Sequence, residues 1–254
     1  MGTQVHSHHV PQLHALQVVL KFPLDAVHNA SATKPIFMLH EGAQRIVDYL
    51  HRQWGERWVA AIFFRVVVGT RRRCGGSPPP LVVDIGANAG YYGMLSGALG
   101  ARVALFDAQP ACWDFIDRAI AASRFSKSRM QLVRGGVSTR EHTTHIDVSD
   151  VVRRAAVTGA GCEGHFGQRG RADMISTSQS APLPLAGARA SPGARRWTDA
   201  FALGRFREGM LGTALNEGET ITLVKVDVEG AEIGILNASL LPASLTGSSR
   251  CPIF

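Results

Sequence analysis

Two spacings of apolar residues alternate along most of this chain of 254 residues. Short runs rich in β-branched residues are typical of buried parallel strands, and they occupy 81–85, 102–106, 131–134 and 221–226. Apolar residues recur at helical spacing in the intervening stretches, namely 91–99, 110–123 and the positions around 233–240. Strands that alternate with helices predict an α/β fold with a parallel sheet.

The rest of the chain is less regular in pattern. Residues 1–37 are expected to form an irregular N-terminal segment, and 38–254 a single domain. Helical spacing predicts a helix over 43–54, and an apolar run predicts a second buried element over 58–68. A short additional strand is expected at 145–148, and regular structure is expected to resume at 197–206. The stretch 152–196 is rich in Ala, Gly, Arg and Ser, with few large apolar residues, so it is expected to be a flexible insertion.

The net charge of +7 and the pI of about 9.7 suggest a nucleic-acid partner, but the positions of the charges disfavour one. Residues 152–196 contain seven arginines and two acidic residues, and Arg71, Arg72 and Arg73 add three more charges. Both segments are predicted to be loops. The composition of 152–196 favours one there, and 71–80 ends in Cys-Gly-Gly-Ser-Pro-Pro-Pro. No basic helix face is predicted, so we expect no specific nucleic-acid binding.

Several features favour a cytoplasmic protein. The longest apolar run, 58–68, is too short to cross a bilayer, so no membrane association is expected. The N-terminus contains histidines instead of the basic and apolar regions of a secretory signal. Four widely spaced cysteines, without a C-x-x-C motif, predict neither a zinc site nor a disulfide framework. Reduced thiols and no metal site are therefore expected.

The first chemistry-bearing motif is a glycine turn after the first predicted strand, Asp84-Ile-Gly86-Ala-Asn88-Ala-Gly90-Tyr91. Its glycines let the backbone turn tightly and let a ligand approach closely, and the following helix offers free N–H groups. The dinucleotide pattern G-x-G-x-x-G fails, because its later glycines would fall on Asn88 and Tyr91. The observed spacing suits a smaller, zwitterionic cofactor. A purely structural turn is the alternative.

The second motif is Asp107, at the end of the second predicted strand and 23 residues after Asp84. A carboxylate at this position can accept hydrogen bonds from both vicinal hydroxyls of a ribose. The alternative is a solvated aspartate at a strand end.

The third motif is the sequence Lys225-Val-Asp227-Val-Glu229-Gly. On a strand the three charged residues share one face. Charges on an interior strand are costly unless they are paired. Pairing within the trio, or a ligand, is therefore expected, and a salt-bridged strand end is the alternative.

Together the three motifs resemble the FkbM family of S-adenosylmethionine-dependent methyltransferases. The resemblance lies in 82–92, in Phe106-Asp-Ala-Gln-Pro and in 225–232, and it covers about 38–150 and 197–254. It implies a Rossmann-like class I methyltransferase fold, a doubly wound and mostly parallel sheet with strand order 3-2-1-4-5-7-6. The chain departs from the family in the 152–196 insertion and in lacking the last strands. The fourth strand is then expected at an edge of the sheet, where it favours self-association.

The resemblance also implies a site. The cofactor is S-adenosylmethionine, and the acceptor is a hydroxyl on a sugar or another small molecule. The cofactor-binding residues implied are Asp84, Gly86, Asn88, Gly90, Tyr91 and Asp107. The methionine end is expected near the glycine turn and the ribose on Asp107. The position of the third motif, where a strand delivers side chains to the crevice outside the carboxyl edge of the sheet, predicts Asp227 and Glu229 as catalytic residues. Asp227 is favoured for positioning the reacting groups and Glu229 as general base, and a metal ion that bridges the two carboxylates is an alternative.

Three other functions remain open. One is a non-catalytic remnant that binds the cofactor or a partner, which the missing strands favour. A nucleic-acid methyltransferase is favoured only by the pI, and the Asn-Pro-Pro-Tyr segment typical of amino-methylating enzymes is replaced by 228–231. A nicotinamide-dependent dehydrogenase is disfavoured by the glycine spacing.

Overall fold

The order of helices and strands in the computed structural model follows the alternation in the sequence. The described residues are 4–10, 13–19, 36–40, 57–75, 78–138, 145–147, 176–178, 197–202, 221–228, 232, 233 and 235. The helices are α1 (Arg57–Arg73), α2 (Tyr91–Ala98) and α3 (Pro110–Ala122). The strands of the central sheet are β4 (Leu81–Ile85), β5 (Arg102–Asp107), β6 (Met130–Arg134) and β11 (Ile221–Val226).

The central sheet is parallel, with the order β11-β4-β5-β6. The predicted α/β fold with a parallel sheet is therefore confirmed, and the order agrees with the first part of a Rossmann-like arrangement. In the register, Lys225 lies opposite Asp84, and Asp107 lies opposite Arg134. All four strands run in one direction, so their ends form two distinct edges, which we call the carboxyl edge and the amino edge. Within the described residues, β11 pairs with β4 alone.

Helices α1, α2 and α3 pack on one face of this sheet. Their buried side chains form one cluster with Val82, Val103 and Leu105 of the strands. A second cluster on the opposite face includes Val83, Phe106 and Ile235 among its members. Every residue of β4 is buried. A strand covered on both faces needs a continuous apolar run, so Asp84, the charged residue in the run, is the exception that requires an explanation.

The prediction that Arg71, Arg72 and Arg73 lie in a loop is wrong, because all three belong to the last turn of α1. Cations near a helix C-terminus interact favourably with the carbonyl end of the helix dipole. The Arg71 guanidinium also donates to the Leu99 carbonyl oxygen over 2.8 Å. The helix therefore continues through Arg73 instead of ending before the first arginine.

The N-terminal segment 1–37, which was expected to be irregular, contains two antiparallel strands and the start of a third. They are β1 (Gln4–Val10), β2 (Leu13–Val19) and β3 (Ile36–His40), in the order β1-β2-β3. Their valine, isoleucine and leucine content is compatible with strands. The prediction missed them because the interspersed histidines and the lack of strict alternation hid the pattern.

A further sheet has the order β7-β10-β8-β9. Its strands are β7 (Gly136–Ser138), β8 (His145–Asp147), β9 (Ser176–Ser178) and β10 (Trp197–Ala202). The short strand predicted at 145–148 is thus confirmed, and the regular structure predicted from 197 is a strand over Trp197–Ala202. Strand β9 lies inside the predicted flexible insertion, and the rest of 152–196 lies outside the described residues. The helix predicted at 43–54 lies outside them as well, whereas 232, 233 and 235 are helical as expected.

Among the described residues, no helix combines the length and apolarity needed to cross a membrane.

Cys74 and Cys112 are both disulfide-bonded, so the prediction of reduced thiols is wrong for these residues. Spacing along the chain does not reveal which thiols the fold brings together. Disulfide bonds are typical of oxidising compartments, and the cysteines therefore give no support to a cytoplasmic location.

Candidate functional site

The glycine turn lies at the carboxyl edge, between β4 and α2. Gly86, Asn88 and Gly90 all have positive φ, at 76°, 52° and 80°. The N–H groups of Gly86 and Ala87 both donate to the carbonyl oxygen of Phe106, over 2.9 and 3.0 Å. The turn is thereby fastened to the neighbouring strand β5. Left-handed backbone is readily adopted by glycine and tolerated by asparagine, which explains these residue types at these positions.

Gly86 lacks a side chain for a reason that the sequence did not suggest. A Cβ atom at this position would overlap the backbone carbonyl of Asp227. The Asp227 N–H in turn donates to the Ile85 carbonyl oxygen over 3.0 Å. The sequence interpretation was that the glycines leave room for a ligand. At Gly86 the space is instead taken by the chain that follows β11.

Asp84 is fully buried, with an exposed fraction of 0%. Its Oδ2 accepts a hydrogen bond from the N–H of Gly93 in α2 (3.0 Å), and its Oδ1 lies 3.1 Å from the Lys225 ammonium. Burial raises the pKa of the Asp84 carboxyl, while the charge of Lys225 acts in the opposite direction. Asp84 therefore joins β4, α2 and β11 at one point.

The Lys225 ammonium contacts three oxygen atoms. It lies 2.7 Å from the Gly86 carbonyl oxygen, 3.1 Å from Asp84 Oδ1 and 3.4 Å from Asp227 Oδ2. It also lies 5.6 Å from the centre of the Tyr92 ring. Burial lowers the pKa of Lys225, but the Asp84 and Asp227 carboxylates outweigh that effect and the pKa is raised. The contact with the Gly86 carbonyl oxygen is a hydrogen bond, and the two carboxylates are ion-pair partners.

Asp107 lies at the end of β5 and is only 2% exposed. Its Oδ2 accepts the N–H of Asn88 over 2.6 Å, and its Oδ1 accepts the N–H of Gln109 over 2.7 Å. Burial raises the pKa of Asp107 to about 7, although the two N–H donors oppose that shift. Its carbonyl oxygen accepts the indole N–H of Trp113 over 2.8 Å. Asp107 is thus in contact with the glycine turn.

Asp227 is the exposed acid of this edge, with 58% of its side chain accessible. Its ion pair with Lys225 is a pairing within the third motif, as expected, but the closer carboxylate is Asp84 on the adjacent strand. Glu229, the predicted general base, lies outside the described residues. In the described residues, no group of three or more His, Cys, Asp or Glu side chains is arranged to hold a metal ion.

Two residues at this edge were not predicted to have a role. The Glu232 carboxylate accepts the N–H of Val228 over 3.0 Å, so it fixes the chain just after Asp227. Trp113 bonds to Asp107, as described above. The spacing of Glu232 from Val228 is close to the helix-capping spacing, and this signal was present in the sequence.

Tyr91 begins α2 and is half-buried. Its ring packs edge-on against Tyr92, with ring centres 4.9 Å apart, and Tyr92 stacks on Phe63 of α1 at the same distance. The aromatic pair therefore connects the turn to α1.

The fold brings Asp84, Gly86, Asn88, Gly90, Tyr91, Asp107 and Asp227 to the carboxyl edge. Parallel strands place their ends together, and the sequence predicted this. Comparison with known proteins adds nothing to the assignment: no family model, no curated protein and no solved structure matches this chain.

Proposed function

We propose that this chain is an S-adenosylmethionine-dependent methyltransferase that methylates a hydroxyl group of a sugar or another small metabolite. The observation that carries the proposal is the hydrogen bond from the Asn88 N–H to Asp107 Oδ2 at 2.6 Å. It joins the glycine turn to a carboxylate at the carboxyl edge. Ligands of open α/β sheets bind outside this edge, and a nucleoside with an amino-acid tail requires both features.

The residues present fit such a ligand by their hydrogen-bonding capacity. Each oxygen of Asp107 accepts one backbone N–H, and a carboxylate oxygen has lone pairs for a second donor. Two vicinal ribose hydroxyls therefore have one acceptor each. The amino terminus of α2 follows Gly90 directly, and its positive dipole favours the carboxylate of a methionine moiety.

Asp84 and Lys225 are positioning residues in this proposal. Asp84 holds the N–H of Gly93, and Lys225 holds the carbonyl oxygen of Gly86. Because the two side chains pair with each other and also hold the backbone at both ends of the turn, we assign them to fixing the turn. We assign the ligand contacts to the turn residues after Gly86 and to Asp107, whose oxygens each accept one hydrogen bond and have lone pairs for another.

When bound, S-adenosylmethionine supplies the methyl group on its sulfonium sulfur. In-line transfer requires the acceptor oxygen to be oriented toward that carbon, and the hydroxyl proton must pass to a base. We assign the orienting role to Asp227, because its side chain is accessible at the carboxyl edge. Glu229, two residues later, is the proposed base.

A second candidate function is favoured by a specific observation. Asp84 is 0% and Asp107 2% exposed, and every carboxylate oxygen of the two has a hydrogen-bond or ion-pair partner within the protein. A site that is satisfied without ligand also suits a non-catalytic protein of this fold, one that binds a cofactor or a partner without turnover.

Calorimetry and thermal unfolding test the cofactor assignment. S-adenosylmethionine and S-adenosylhomocysteine should raise the melting temperature, because they bind only the native state, and NAD should not. D107A should weaken cofactor binding by about 1.5–3 kcal/mol, the scale of a hydrogen bond to a charged group. D114A is the matched control, because Asp114 is an exposed aspartate on α3.

The result decides between the candidates. Equal affinity in wild type, D107A and D114A removes Asp107 from the site. Formation of S-adenosylhomocysteine with a panel of sugars and other hydroxyl compounds supports the enzyme. Cofactor binding without turnover across that panel supports the non-catalytic protein.

A further inference from the structure

The amino edge of the parallel sheet contains a cavity of about 490 Å³. Leu81 and Arg102 line it at the starts of β4 and β5, and Gln131 lines it near the start of β6. It therefore lies at the end of the sheet opposite to Asp107. A cavity of this size lies within the range of small-molecule sites, about 300–1,000 Å³.

The lining of this cavity has one sign of charge. Arg102, Lys127 and Arg129 are among the lining residues, and no aspartate, glutamate or aromatic residue lines it in the described part of the chain. We call it the basic cleft, defined by these three cations together with Gly100 and Gln131.

A fourth cation reaches the wall of the basic cleft from α1. A Cβ atom at Gly100 would overlap the Arg71 guanidinium, so this group lies directly against that glycine. Gly100 has a φ of 96°. The glycine therefore serves the close approach of Arg71 as well as the turn after α2.

The cations are held in place by the carboxyl end of α2. Arg71 Nη1 donates to the Leu99 carbonyl oxygen at 2.8 Å, and Arg129 Nη2 donates to the Gly97 carbonyl oxygen at 2.9 Å. A guanidinium group has five N–H donors, so each of these bonds leaves donors for another acceptor. The carbonyl groups orient the two guanidinium groups without adding a negative charge.

Like charge accumulates here. Burial lowers the pKa of Arg129, and the charge of Arg71 lowers it further. The guanidinium groups of Arg71 and Arg129 repel each other, and the described lining residues include no carboxylate. A bound anion would reduce this repulsion.

We propose that the basic cleft binds a small molecule that carries a phosphate or diphosphate group. Guanidinium groups match the geometry of phosphate oxygens and bind them in a bidentate manner. The cavity volume favours a small molecule over a nucleic-acid strand. Proteins hold single-stranded nucleic acids by stacking the bases on aromatic side chains, and the described residues of the lining include no aromatic side chain. This site is separate from the proposed function, because it lies at the opposite edge and shares no residue with the carboxyl-edge site.

Calorimetry on the full chain at low ionic strength tests the proposal with four probes: inorganic phosphate, pyrophosphate, glucose 6-phosphate and a short single-stranded oligonucleotide. The variants are R102Q and K127Q. The control is R134Q, which removes a cation from the carboxyl end of β6, where Arg134 is paired with Asp117. R129Q is omitted, because Arg129 also holds the Gly97 carbonyl oxygen.

Pyrophosphate or glucose 6-phosphate should bind to the wild type, and each variant should weaken that binding about 10- to 100-fold, the scale for a hydrogen bond to a charged group. R134Q should stay within about twofold of wild type. Tighter binding of glucose 6-phosphate than of phosphate identifies a phosphorylated metabolite rather than the free ion. No binding of any small phosphate at millimolar concentration, equal effects of K127Q and R134Q, or binding of the oligonucleotide alone would overturn the proposal.

Discussion

At the carboxyl edge of the parallel sheet, the Lys225 ammonium lies between Asp84 and Asp227, and the buried carboxylates of Asp84 and Asp107 accept backbone N–H groups. At the amino edge, Arg102, Lys127 and Arg129 line a cavity with no carboxylate among the described residues of its lining. The first edge carries both signs of charge and pairs them within the protein. The second carries one sign, and carbonyl groups hold its arginines Arg71 and Arg129.

This difference separates two uses of charged residues. A compensated cluster contributes to the fold even when no ligand is present, since its members satisfy one another. A cluster of like charges opposes folding, and a bound anion of the kind proposed above would reduce that repulsion. The carboxyl edge is thus a paired structural unit on which a cofactor site is proposed, and the basic cleft is the proposed anion site.

The largest expected effect comes from removing a cation at each edge. K225M leaves Asp84 buried without a counter-charge, which should lower the free energy of unfolding by about 3–5 kcal/mol. K127M removes an exposed cation that faces other cations, and it should change stability by less than about 0.5 kcal/mol. Chemical denaturation of both variants measures the contrast. Similar losses of stability in the two would contradict the distinction between the edges.

The next effect concerns one glycine at each edge. In G86A the new methyl group meets the backbone of Asp227, which has no freedom to move, so strain and overpacking should together cost about 3 kcal/mol. In G100A it meets the end of the Arg71 side chain, which can swing away, so the cost should be about 1–2 kcal/mol, the cost of the left-handed backbone.

G75A is the control for this pair. Gly75 has a φ of 63°, and a methyl group added there would meet no atom within 4 Å, so this variant isolates the backbone cost. Thermal unfolding of the three variants gives the ranking. A G86A protein as stable as G75A would show that the contact with Asp227 does not close the carboxyl edge.

The smallest effect is the pH dependence of cofactor binding. Asp107 has a pKa of about 7, and its ionised form is the better acceptor for ribose hydroxyls, so affinity should rise about tenfold from pH 6 to pH 8. Stability has the opposite sign. The folded-state pKa exceeds the unfolded value of 3.8, so the contribution of Asp107 to the free energy of unfolding falls as pH rises from about 4 to about 7.

Calorimetry at several pH values measures the affinity, and D107N is the control because its side chain does not titrate. A flat affinity profile in the wild type would mean that the ionisation of Asp107 is not coupled to the ligand. A profile that persists in D107N would assign the titration to another group.

The parallel sheet could be predicted because β4, β5, β6 and β11 are short apolar runs that no helix pattern matches. The end of α1 could not be predicted, because Arg71 donates to a carbonyl oxygen 28 positions away. Sequence spacing carries no information about such a contact. The prediction of reduced thiols at Cys74 and Cys112 was wrong for the same reason, because disulfide pairing depends on which residues the folded chain brings together.

The sequence predicted where the candidate residues lie, but only some of the contacts that they make. Because the carboxyl ends of parallel strands lie at the same edge of a sheet, the sequence predicted that Asp84, Asp107 and Asp227 lie together there. The pairing of Asp84 with Lys225 depends on the register of β11 against β4, which the sequence does not specify. The interpretation of Gly86 as space for a ligand failed because the approach of Asp227 is a contact between segments far apart in the chain.

The bond between Lys225 and the Gly86 carbonyl oxygen spans 139 positions, and this separation has a consequence for biosynthesis. At about 5–20 residues per second, the ribosome adds Lys225 roughly 7–28 s after Gly86. Throughout that interval the nascent chain holds Asp84 on an apolar strand without its cation. Strand β4 therefore stays unpaired on one side, and accessible to chaperones, until β11 leaves the ribosome and completes the carboxyl edge.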